Sequence, residues 1–447
     1  MAAKKTIWNW FEDTRGDKVV WMIVLMLIMF SILCIFSSTS RLLGPGQSRL
    51  DLVWDHLKIV IFGLLLIIGC YFIPGIKLFR TLSSLGFWVS FVLLAFLISG
   101  LNLGPVRSIE LNGARRIIQM GGLQLHVNEV VKVAMVLYLA WAIDAFKRKD
   151  LRLFKDKPTL QKIYYIYAPF IVITFMVLPG SNSAALFTGG IMFLVILLGG
   201  GSGKDMFKLL LAGAVLLGLC VGVWKLSGGK VLGRIGTGIS RIFDDEDYEA
   251  MVMKSRAGSV EYYKALDEIR QPYSAKIAVH QGGLIGKGPG GSTQRYVVPD
   301  ISEDYMYSFI IEEYGMLGGL VIMILYLGLM ARGALIARNC GNDLYAKLAV
   351  AGLVLLISGQ AFLHICVNVD IGPMTGQTLP LVSHGASAFL CFCIAFGVIL
   401  SISKTASTRM AKEQRMADPL VDRLSDLDQF ETGEATMDEE LYEDYEV

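Results

Sequence analysis

Acidic side chains stand at the start of a strongly apolar segment, where a carboxylate can act on a substrate at a membrane surface. Ser302, Glu303 and Asp304 directly precede the apolar residues 306–331. A carboxylate in such a place can serve as a general base that takes a proton from a reacting hydroxyl group. The same residues are also typical of a helix start, with Ser302 as N-cap and two acids near the positive end of the helix dipole. Both interpretations remain open from the residues alone.

Two further acids, Glu312 and Glu313, lie about 12 Å deeper along the same predicted helix. Ionisable groups inside apolar segments are costly and are functional candidates by default. We expect these carboxylates to pair with cations of a helix bundle, in preference to a catalytic role.

Cationic side chains occur at two other places beside apolar segments. Glu129 and Lys132 have the i, i+3 spacing that puts both on one helical face, which favours a local ion pair, although a cation there can also meet a phosphate. Arg115 and Arg116 precede them. The planar fork of arginine suits phosphate or diphosphate recognition, and contact with anionic lipid headgroups is an equally good explanation of these two charges.

The stretch 368–387 (NVDIGPMTGQTLPLVSHGAS) is interrupted by Gly and Pro, so no regular spanning helix is expected there. Irregular backbone at membrane depth is tolerated only where protein or a water-filled cavity surrounds it, which predicts a re-entrant outer loop. His364 precedes this stretch and His384 lies near its end, and both are interpreted as hydrogen-bonding groups. Neither these histidines nor the Cys391-x-Cys393 pair indicates a metal site.

The elements that position these residues follow from composition. Of 447 residues, 54% are hydrophobic and only 18% are charged, against about 25% charged residues in soluble domains. The sequence therefore predicts an all-α polytopic membrane protein. The fourth and sixth of its ten candidate spans are the weakest. The spans are 19–38, 54–74, 83–103, 130–146, 162–179, 183–200, 207–226, 306–331, 348–366 and 387–403.

Basic residues concentrate in the loops on one side of this ten-span arrangement, which predicts that both termini are cytoplasmic. Residues 1–18 are interpreted as an interfacial amphipathic arm, 19–405 as the spanning body and 406–447 as a disordered tail. The tail is acidic, since residues 417–447 contain twelve Asp or Glu and one Arg. The longest loop, about 227–305, is predicted outside the cytoplasm. No nucleic-acid motif is present.

Four segments carry a resemblance to a known family. Residues 112–116 (NGARR) and 122–132 (GLQLHVNEVVK) are similar to its NGARRW and QPSELAK stretches, and 282–315 to its Gly-rich loop and following EE-x-G. Residues 368–387 resemble its TG-x-x-LPL-x-S-x-GGS signature, and 181–184 fall where it has a PDLG-T-A run. The sequence thus resembles the SEDS proteins (shape, elongation, division and sporulation), which include FtsW, RodA and SpoVE. The compact GKGPGGSTQR spacing is most similar to FtsW.

The resemblance implies a peptidoglycan glycosyltransferase that polymerises lipid II into β-1,4 glycan strands at the outer face of the membrane. It places the essential outer-loop Asp at Asp304, the implied general base. Arg115, Arg116 and Lys132 are candidate diphosphate contacts, and Glu129 is expected to position Lys132. The supporting signature residues are Asn368, Thr375, Gly376, Pro380, Ser383, Gly385 and Ser387.

The sequence departs from the family pattern at several positions. The family's Pro-Asp is Pro179-Gly180, so one carboxylate is missing. The family's Glu after Pro is Asp300, and the signature's Tyr and second Gly are His384 and Ala386. These departures leave Asp304 in place.

The resemblance also implies partners and a location. A class B penicillin-binding transpeptidase and other divisome membrane proteins are the expected protein partners, at the septum of the bacterial cytoplasmic membrane. No obligatory cofactor is expected, no metal site is predicted, and Mg²⁺ or Mn²⁺ is allowed as an assisting ion. Two alternatives remain: a lipid II flippase, which Glu312 and Glu313 would suit, and a non-enzymatic division scaffold.

Overall fold

The computed structural model describes residues 15–38, 49–111, 114–227, 248–298, 301–372 and 375–416. Most of the predicted interfacial arm, Asp300 and the acidic residues from 417 onward lie outside these ranges. In the described part, a helix overlaps every one of the ten candidate spans.

The membrane-type helices have the following bounds: α1 Lys18–Ser38, α2 Arg49–Phe72, α3 Lys77–Ser83, α4 Gly86–Ser99, α5 Val127–Lys147, α6 Pro158–Lys162, α7 Ala168–Val177, α8 Asn182–Leu198 and α9 Gly203–Leu226. A π-helical turn, Ile163–Tyr167, joins α6 to α7. Then follow α10 Tyr248–Lys254, α11 Val260–Gly282, a short 3₁₀ turn Gln294–Tyr296, α12 Met306–Asn339, α13 Leu344–Asn368 and α14 Ala386–Met416.

Eight helical stretches in the described ranges are long and apolar enough to cross a membrane. The protein is therefore a multi-pass membrane protein. The two candidate spans outside this set are α5, which carries Lys132 and Asp144, and α8, which is apolar but shorter. They are the two that the sequence marks as weakest, and the number of ten crossings stays a prediction.

The centre of the bundle is formed by α13 and α14, whose most apolar stretches are largely buried. Close packing depends on glycine, because α14 lies against α2 at Gly397 and Gly63. A Cβ atom at Gly397 would lie 2.6 Å from the Cβ of Cys70 and 3.2 Å from the Cα of Ile67. Small residues of this kind let membrane helices approach each other closely. By contrast, only Met206 and Leu209 of α9 are buried.

The prediction of an all-α fold is wrong for the described residues 102–111 and 114–126. They contribute a four-stranded antiparallel sheet in the order β1 Asn102–Leu103, β2 Val106–Leu111, β3 Ala114–Met120 and β4 Leu123–His126. Ile117 and Ile118 are both buried, Ile118 within the apolar core of the bundle, and β-branched residues of this kind favour strands. Gly121-Gly122 joins β3 to β4 as a two-residue hairpin loop, a signal that the sequence contains.

The start of α12 and the end of α14 differ from the bounds that the sequence predicts. The helix after Asp304 begins at Met306, and its N-cap position is Tyr305, so the predicted N-cap role of Ser302 is wrong. Residues 301–305 form turns, because their carbonyl groups bond to the loop that precedes α14. The last helix continues to Met416, beyond residue 405, where the sequence places the end of the spanning body.

We expect Gly397→Ala to lower the thermal stability of the detergent-solubilised protein, because the added methyl group overpacks the contact between α14 and α2. Overpacking of this kind costs about 1–3 kcal/mol. Gly213→Ala is the matched control, since a Cβ there meets nothing within 4 Å and alanine is the better helix former. Thermal unfolding followed by tryptophan fluorescence measures both. Equal melting temperatures would contradict the packing at Gly397.

Candidate active site around Asp304

The backbone that carries Asp304 is fixed by three hydrogen bonds to successive carbonyl groups. The carbonyls of residues 302, 303 and 304 each accept one bond from the signature stretch 368–387. The donors are the His384 amide (2.8 Å), the Ser383 hydroxyl (2.8 Å) and the Asn368 side-chain amide (3.1 Å). Asp304 is thereby held in one position relative to the signature stretch, although it belongs to no helix or strand.

Asn368 is buried and uses its whole side-chain amide in this contact. Its nitrogen also donates to the carbonyl of His364, and its oxygen accepts from the amide and the hydroxyl of Ser308. The residue therefore joins the end of α13, the turn at Asp304 and the first turn of α12. The first residue of the signature stretch thus links this stretch to both helices and to the turn.

The Asp304 carboxylate faces Gly376. A Cβ atom at Gly376 would lie 3.4 Å from Oδ2 of Asp304, and the φ angle of Gly376 is +57°, a conformation that favours glycine. Asp304 itself is half-buried. Gly376 thus leaves space for the Asp304 carboxylate beside the signature stretch. The three bonds to the backbone of residues 302–304 fix the position from which the side chain extends.

The ion pair predicted between Glu129 and Lys132 is confirmed. The Lys132 Nζ lies 2.7 Å from Glu129 Oε1 and also donates to the side-chain oxygens of Gln360 and Gln377, each at 2.7 Å. An ammonium group has three donors, and these contacts use all three. Lys132 is 1% exposed and fastens α5 to α13 and to the signature stretch. A contact between Lys132 and a diphosphate stays a prediction.

The two arginines of the sheet are directed to different neighbours. Arg116 donates from Nε to the carbonyl of Gly180 at 2.8 Å. Arg115 packs its guanidinium against Gly100 at the end of α4, and its Nε lies 3.9 Å from Glu110. The Arg115 side chain is 43% exposed, so it is the more accessible of the predicted cations.

Glu312 and Glu313 pair with cations, as the sequence predicts, but the cations belong to the Gly-rich loop 283–298. Glu312 accepts from Lys287 Nζ at 2.7 Å and from the amide and hydroxyl of Thr293. Glu313 accepts from the Gly290 amide at 3.1 Å and lies 3.9 Å from Arg295. Both carboxylates are fully buried, and they hold this loop onto α12.

The remaining predicted signature residues tie the loop to the surrounding elements. The carbonyl of Thr375 accepts from the Ser183 hydroxyl at 2.8 Å, and that of Pro380 accepts from the Tyr326 hydroxyl. The Ser387 hydroxyl accepts from the His126 amide at 3.1 Å, and Gly385 has a φ angle of +156°. The signature stretch, including its last residue at the start of α14, is therefore bonded to α8, α12 and the sheet.

Two residues of this site are absent from the sequence-based prediction. Gln377 lies within the signature stretch, and Gln360 is a polar residue in the middle of an apolar helix, which is a recognisable signal. Among the described residues, no group of three or more His, Cys, Asp or Glu side chains is placed to hold a metal ion.

The fold and the site define a class: multi-pass membrane proteins with a half-buried carboxylate held under an irregular loop between two central helices. The family model described as "Cell cycle protein" (FtsW, RodA, SpoVE) matches residues 17–408. The chain therefore belongs to the FtsW/RodA/SpoVE family.

Relatives with known names match along nearly the whole chain. The probable peptidoglycan glycosyltransferase FtsW of Coxiella burnetii is 28% identical over 90% of this chain and 98% of its own. Stage V sporulation protein E of Bacillus subtilis is 26% identical over 88% and 98%. The peptidoglycan glycosyltransferase MrdB of Escherichia coli is 25% identical over 89% and 95%.

Solved structures share the fold. A chain from a study of how a peptidoglycan synthase complex coordinates polymerization and crosslinking aligns with a TM-score of 0.59 and 20% identity, over 88% of this chain and 98% of that one. The rod shape determining protein RodA of Thermus thermophilus aligns with a TM-score of 0.54 and 20% identity, over 88% and 97%.

We expect Lys132→Met to destabilise the folded protein strongly, because it leaves the Glu129 carboxylate buried without its cation. Breaking a buried pair in this way costs about 3–5 kcal/mol. Lys58→Met is the matched control, since Lys58 pairs with Asp55 at the same i, i+3 spacing while both side chains are largely exposed. Thermal unfolding in detergent measures the difference.

The double variant Glu129→Gln, Lys132→Met separates the two roles of Lys132. It removes both charges and is expected to recover much of the lost stability. If its activity recovers too, Lys132 acts by positioning. A stable double variant without activity would instead indicate that Lys132 contacts the substrate.

Proposed function

We propose that this protein is a peptidoglycan glycosyltransferase that polymerises lipid II into β-1,4 glycan strands at the outer face of the cytoplasmic membrane. The observation that carries the proposal is the fixed position of Asp304, whose backbone is bonded at three successive carbonyls to the signature stretch. The names of the FtsW and MrdB relatives support the same activity.

The proposed reaction needs a single base. A β-1,4 link formed from an α-linked sugar diphosphate requires inversion, so the acceptor 4-hydroxyl attacks the anomeric carbon directly while its proton is taken up. Asp304 is the proposed acceptor of that proton. The bond between the anomeric carbon and the diphosphate breaks in the same step, and polyprenyl diphosphate leaves with the bonding electron pair.

Cations near the leaving group stabilise its developing charge. Arg115 and Arg116 are the proposed contacts with the diphosphate, and Lys132 with Glu129 is proposed to hold the signature stretch in place. A divalent ion, Mg²⁺ or Mn²⁺, can add charge at the diphosphate, and no obligatory cofactor is proposed.

The flippase alternative loses its main argument, because both acids that suggested it have a structural partner. Glu312 and Glu313 hold the loop 283–298 onto α12. A scaffold without enzymatic activity gives no reason for the ordered surroundings of Asp304.

We also propose a class B penicillin-binding transpeptidase as partner and the division septum as location. The similarity to a chain of a peptidoglycan synthase complex supports a transpeptidase partner. Depletion of the protein in cells tests the location, since filaments indicate a division role and rounded cells indicate a role in elongation.

We expect Asp304→Asn to abolish polymerisation while the protein stays folded, since asparagine keeps the size of the side chain but takes up no proton. General bases contribute about 100- to 10,000-fold to rate, so a loss of at least about 100-fold is expected. The measurement is the formation of glycan strands from lipid II by the purified protein with its cognate transpeptidase, analysed on a gel.

Glu303→Gln is the matched control, because it neutralises the adjacent acid, whose side chain faces His384 at 3.7 Å. It is expected to stay within a few-fold of the wild type. Polymer from Asp304→Asn at the wild-type rate would move the base elsewhere. Absence of polymer from a monodisperse wild-type complex would reject the proposed activity.

A further inference from the structure

Apolar side chains form a complete row across one end of the four-stranded sheet, the end that carries the β1–β2 and β3–β4 turns. The paired positions of this tip row, in order across the four strands, are Leu103, Val106, Met120 and Leu123. Residues that lie opposite each other in an antiparallel sheet project from the same face. Each strand therefore contributes one apolar side chain to one face of the sheet at its tip.

The next row of the sheet is polar. Its members, in the same order, are Asn102, Arg107, Gln119 and Gln124. Arg107 donates from Nε to the side-chain oxygen of Gln119 at 2.8 Å. Successive residues of a strand project to opposite faces, so the polar row lies on the face opposite to the tip row. The end of the sheet is thus amphipathic.

The tip row is largely uncovered by protein. The exposed fraction is 61% for Leu103, 42% for Met120 and 73% for Leu123. The adjacent turns stand clear as well, since a Cβ atom on Gly104 or Gly121 would meet no atom of the described residues within 4 Å. Exposed apolar surface with a polar face behind it indicates a contact with something outside the described part of the chain.

The face that carries the tip row is the one that packs on the helical bundle. Ile118, two residues before Met120 and on the same face, is buried in the apolar core of the bundle. Val106, within the tip row, packs partly against that core. The tip row therefore extends the bundle-facing side of the sheet to a place where the helices cover it only in part.

The tip row also lies close to the lipid-facing surface of α4. The membrane-type stretch Lys77–Ser99 ends with α4, and β1 begins three residues later at Asn102. Val92 and Ile98 of α4 are exposed, and so is Leu101, which connects α4 to β1. Exposed apolar side chains of a membrane-crossing helix contact lipid tails. Lipid is therefore the apolar environment nearest to the tip row.

We propose that the tip of the sheet inserts its apolar row into the adjacent lipid leaflet, at the boundary between headgroups and acyl chains, and anchors the sheet there. Leu103, Met120 and Leu123 are the side chains that enter the lipid, and the polar row faces water. Amphipathic helices take this position at membrane surfaces, and the same separation of apolar and polar faces favours it for the end of a sheet.

The anchor fixes the height of the sheet arginines relative to the membrane. Arg115 lies five residues before Met120 on β3, about 17 Å along the strand. Because β3 is paired with β2 on one side and with β4 on the other, the position of its tip determines that of Arg115. This consequence, unlike the contact with lipid, rests on the proposed function, in which Arg115 and Arg116 bind the diphosphate of a lipid-linked substrate.

Photocrosslinking identifies what the tip row contacts. The full-length protein is reconstituted in vesicles of phosphatidylethanolamine and phosphatidylglycerol, with the photoreactive residue p-benzoylphenylalanine at one position at a time. Met120 and Leu123 are the test positions. Val92 on α4 is the lipid-facing positive control, and Gln124, an exposed residue of the polar row, is the matched negative control. After irradiation, mass spectrometry measures the fraction of protein that carries a lipid adduct.

Adduct levels at Met120 and Leu123 are expected to be comparable to the level at Val92. The level at Gln124 is expected to be at least about fivefold lower, because its row projects to the opposite face. Equally low levels at Leu123 and Gln124 would overturn the contact with lipid. The same residue at Leu123 in native membranes is expected to give lipid adducts, and a predominant crosslink to another polypeptide there would overturn lipid as the occupant.

Charged substitutions test the consequence for activity. The double variant Leu103→Asp, Leu123→Asp is expected to polymerise lipid II at least about fivefold more slowly in vesicles, because carboxylates are excluded from the acyl region. Its rate in detergent micelles, where no bilayer surface fixes the height of the substrate, is expected to stay close to the wild type. Asn102→Asp, Gln124→Asp adds the same charges to the polar row and is expected to match the wild type in both. An equal loss in vesicles and micelles would overturn anchoring as the cause.

Crosslinking does not depend on catalysis, so this inference and the proposed activity fail separately. Lipid adducts at Leu123 in a wild-type complex that forms no polymer would reject the glycosyltransferase and support the anchor. Polymer formation by a protein without adducts at Leu123 would reject the anchor and leave the glycosyltransferase in place.

Discussion

Backbone that leaves helical geometry inside a membrane protein has polar groups that lipid cannot satisfy, and each unpaired group costs several kcal/mol. Two segments of this protein leave helical geometry beside each other: the turn 301–305 and, within the signature stretch, the described residues 369–372 and 375–385. Three carbonyls of the turn accept hydrogen bonds from the signature stretch. The carbonyls of the signature stretch in turn accept from side chains of other helices, among them Ser183, Tyr326 and Gln360. The turn is therefore held by the signature stretch, and the signature stretch is held by the helices around it. Asp304 owes its fixed position to this series of contacts.

Buried charged side chains also hold the segments around Asp304 in place. An unpaired buried charge is far more costly than an unpaired neutral group, so Lys132, Glu312 and Glu313 each enforce the presence of their partners. Lys132 requires the signature stretch at Gln377, and the two glutamates require the Gly-rich loop at residues 287–295. The helix α12 is interrupted at Gly315, whose φ angle is +70°, where this loop pairs with its backbone. These charges explain how long loops keep defined positions around one carboxylate.

Some of these features can be predicted from the sequence, and others cannot, for physical reasons. Segments of uniform high hydropathy, such as those forming α1 and α13, are found because length and composition suffice. The pair Glu129 and Lys132 is found because its partners are three residues apart. The partners of Glu312 are about twenty residues away in a loop, so periodicity cannot identify them.

The sheet is missed because its strands are short and only partly buried, although Gly121-Gly122 marks one hairpin. The N-cap interpretation of Ser302, one of the two left open by the residues, is not realised: local capping rules allow it, but the Ser302 carbonyl accepts from the His384 amide and the helix begins later. Asp304 is singled out as the base by the family resemblance, since local pattern leaves its role open.

The cations near Asp304 differ in their surroundings: Lys132 is enclosed by protein acceptors, whereas Arg115 is partly exposed. Lys132 is enclosed by three acceptors in the bundle, and its charge is already balanced by Glu129, so little of its field remains for a ligand. Arg115 is partly exposed and has a looser ion pair, with Glu110 3.9 Å from its Nε, and both lie beside apolar side chains of α4 and α7. A charge at the edge of a low-dielectric region acts on an anion more strongly than the same charge in water. The proposed stabilisation of the leaving diphosphate is therefore better ascribed to the arginines of the sheet than to the buried lysine. The sheet separates the two arginines, because adjacent residues of a strand point to opposite faces: Arg116 bonds to the carbonyl of Gly180 while Arg115 stays partly exposed.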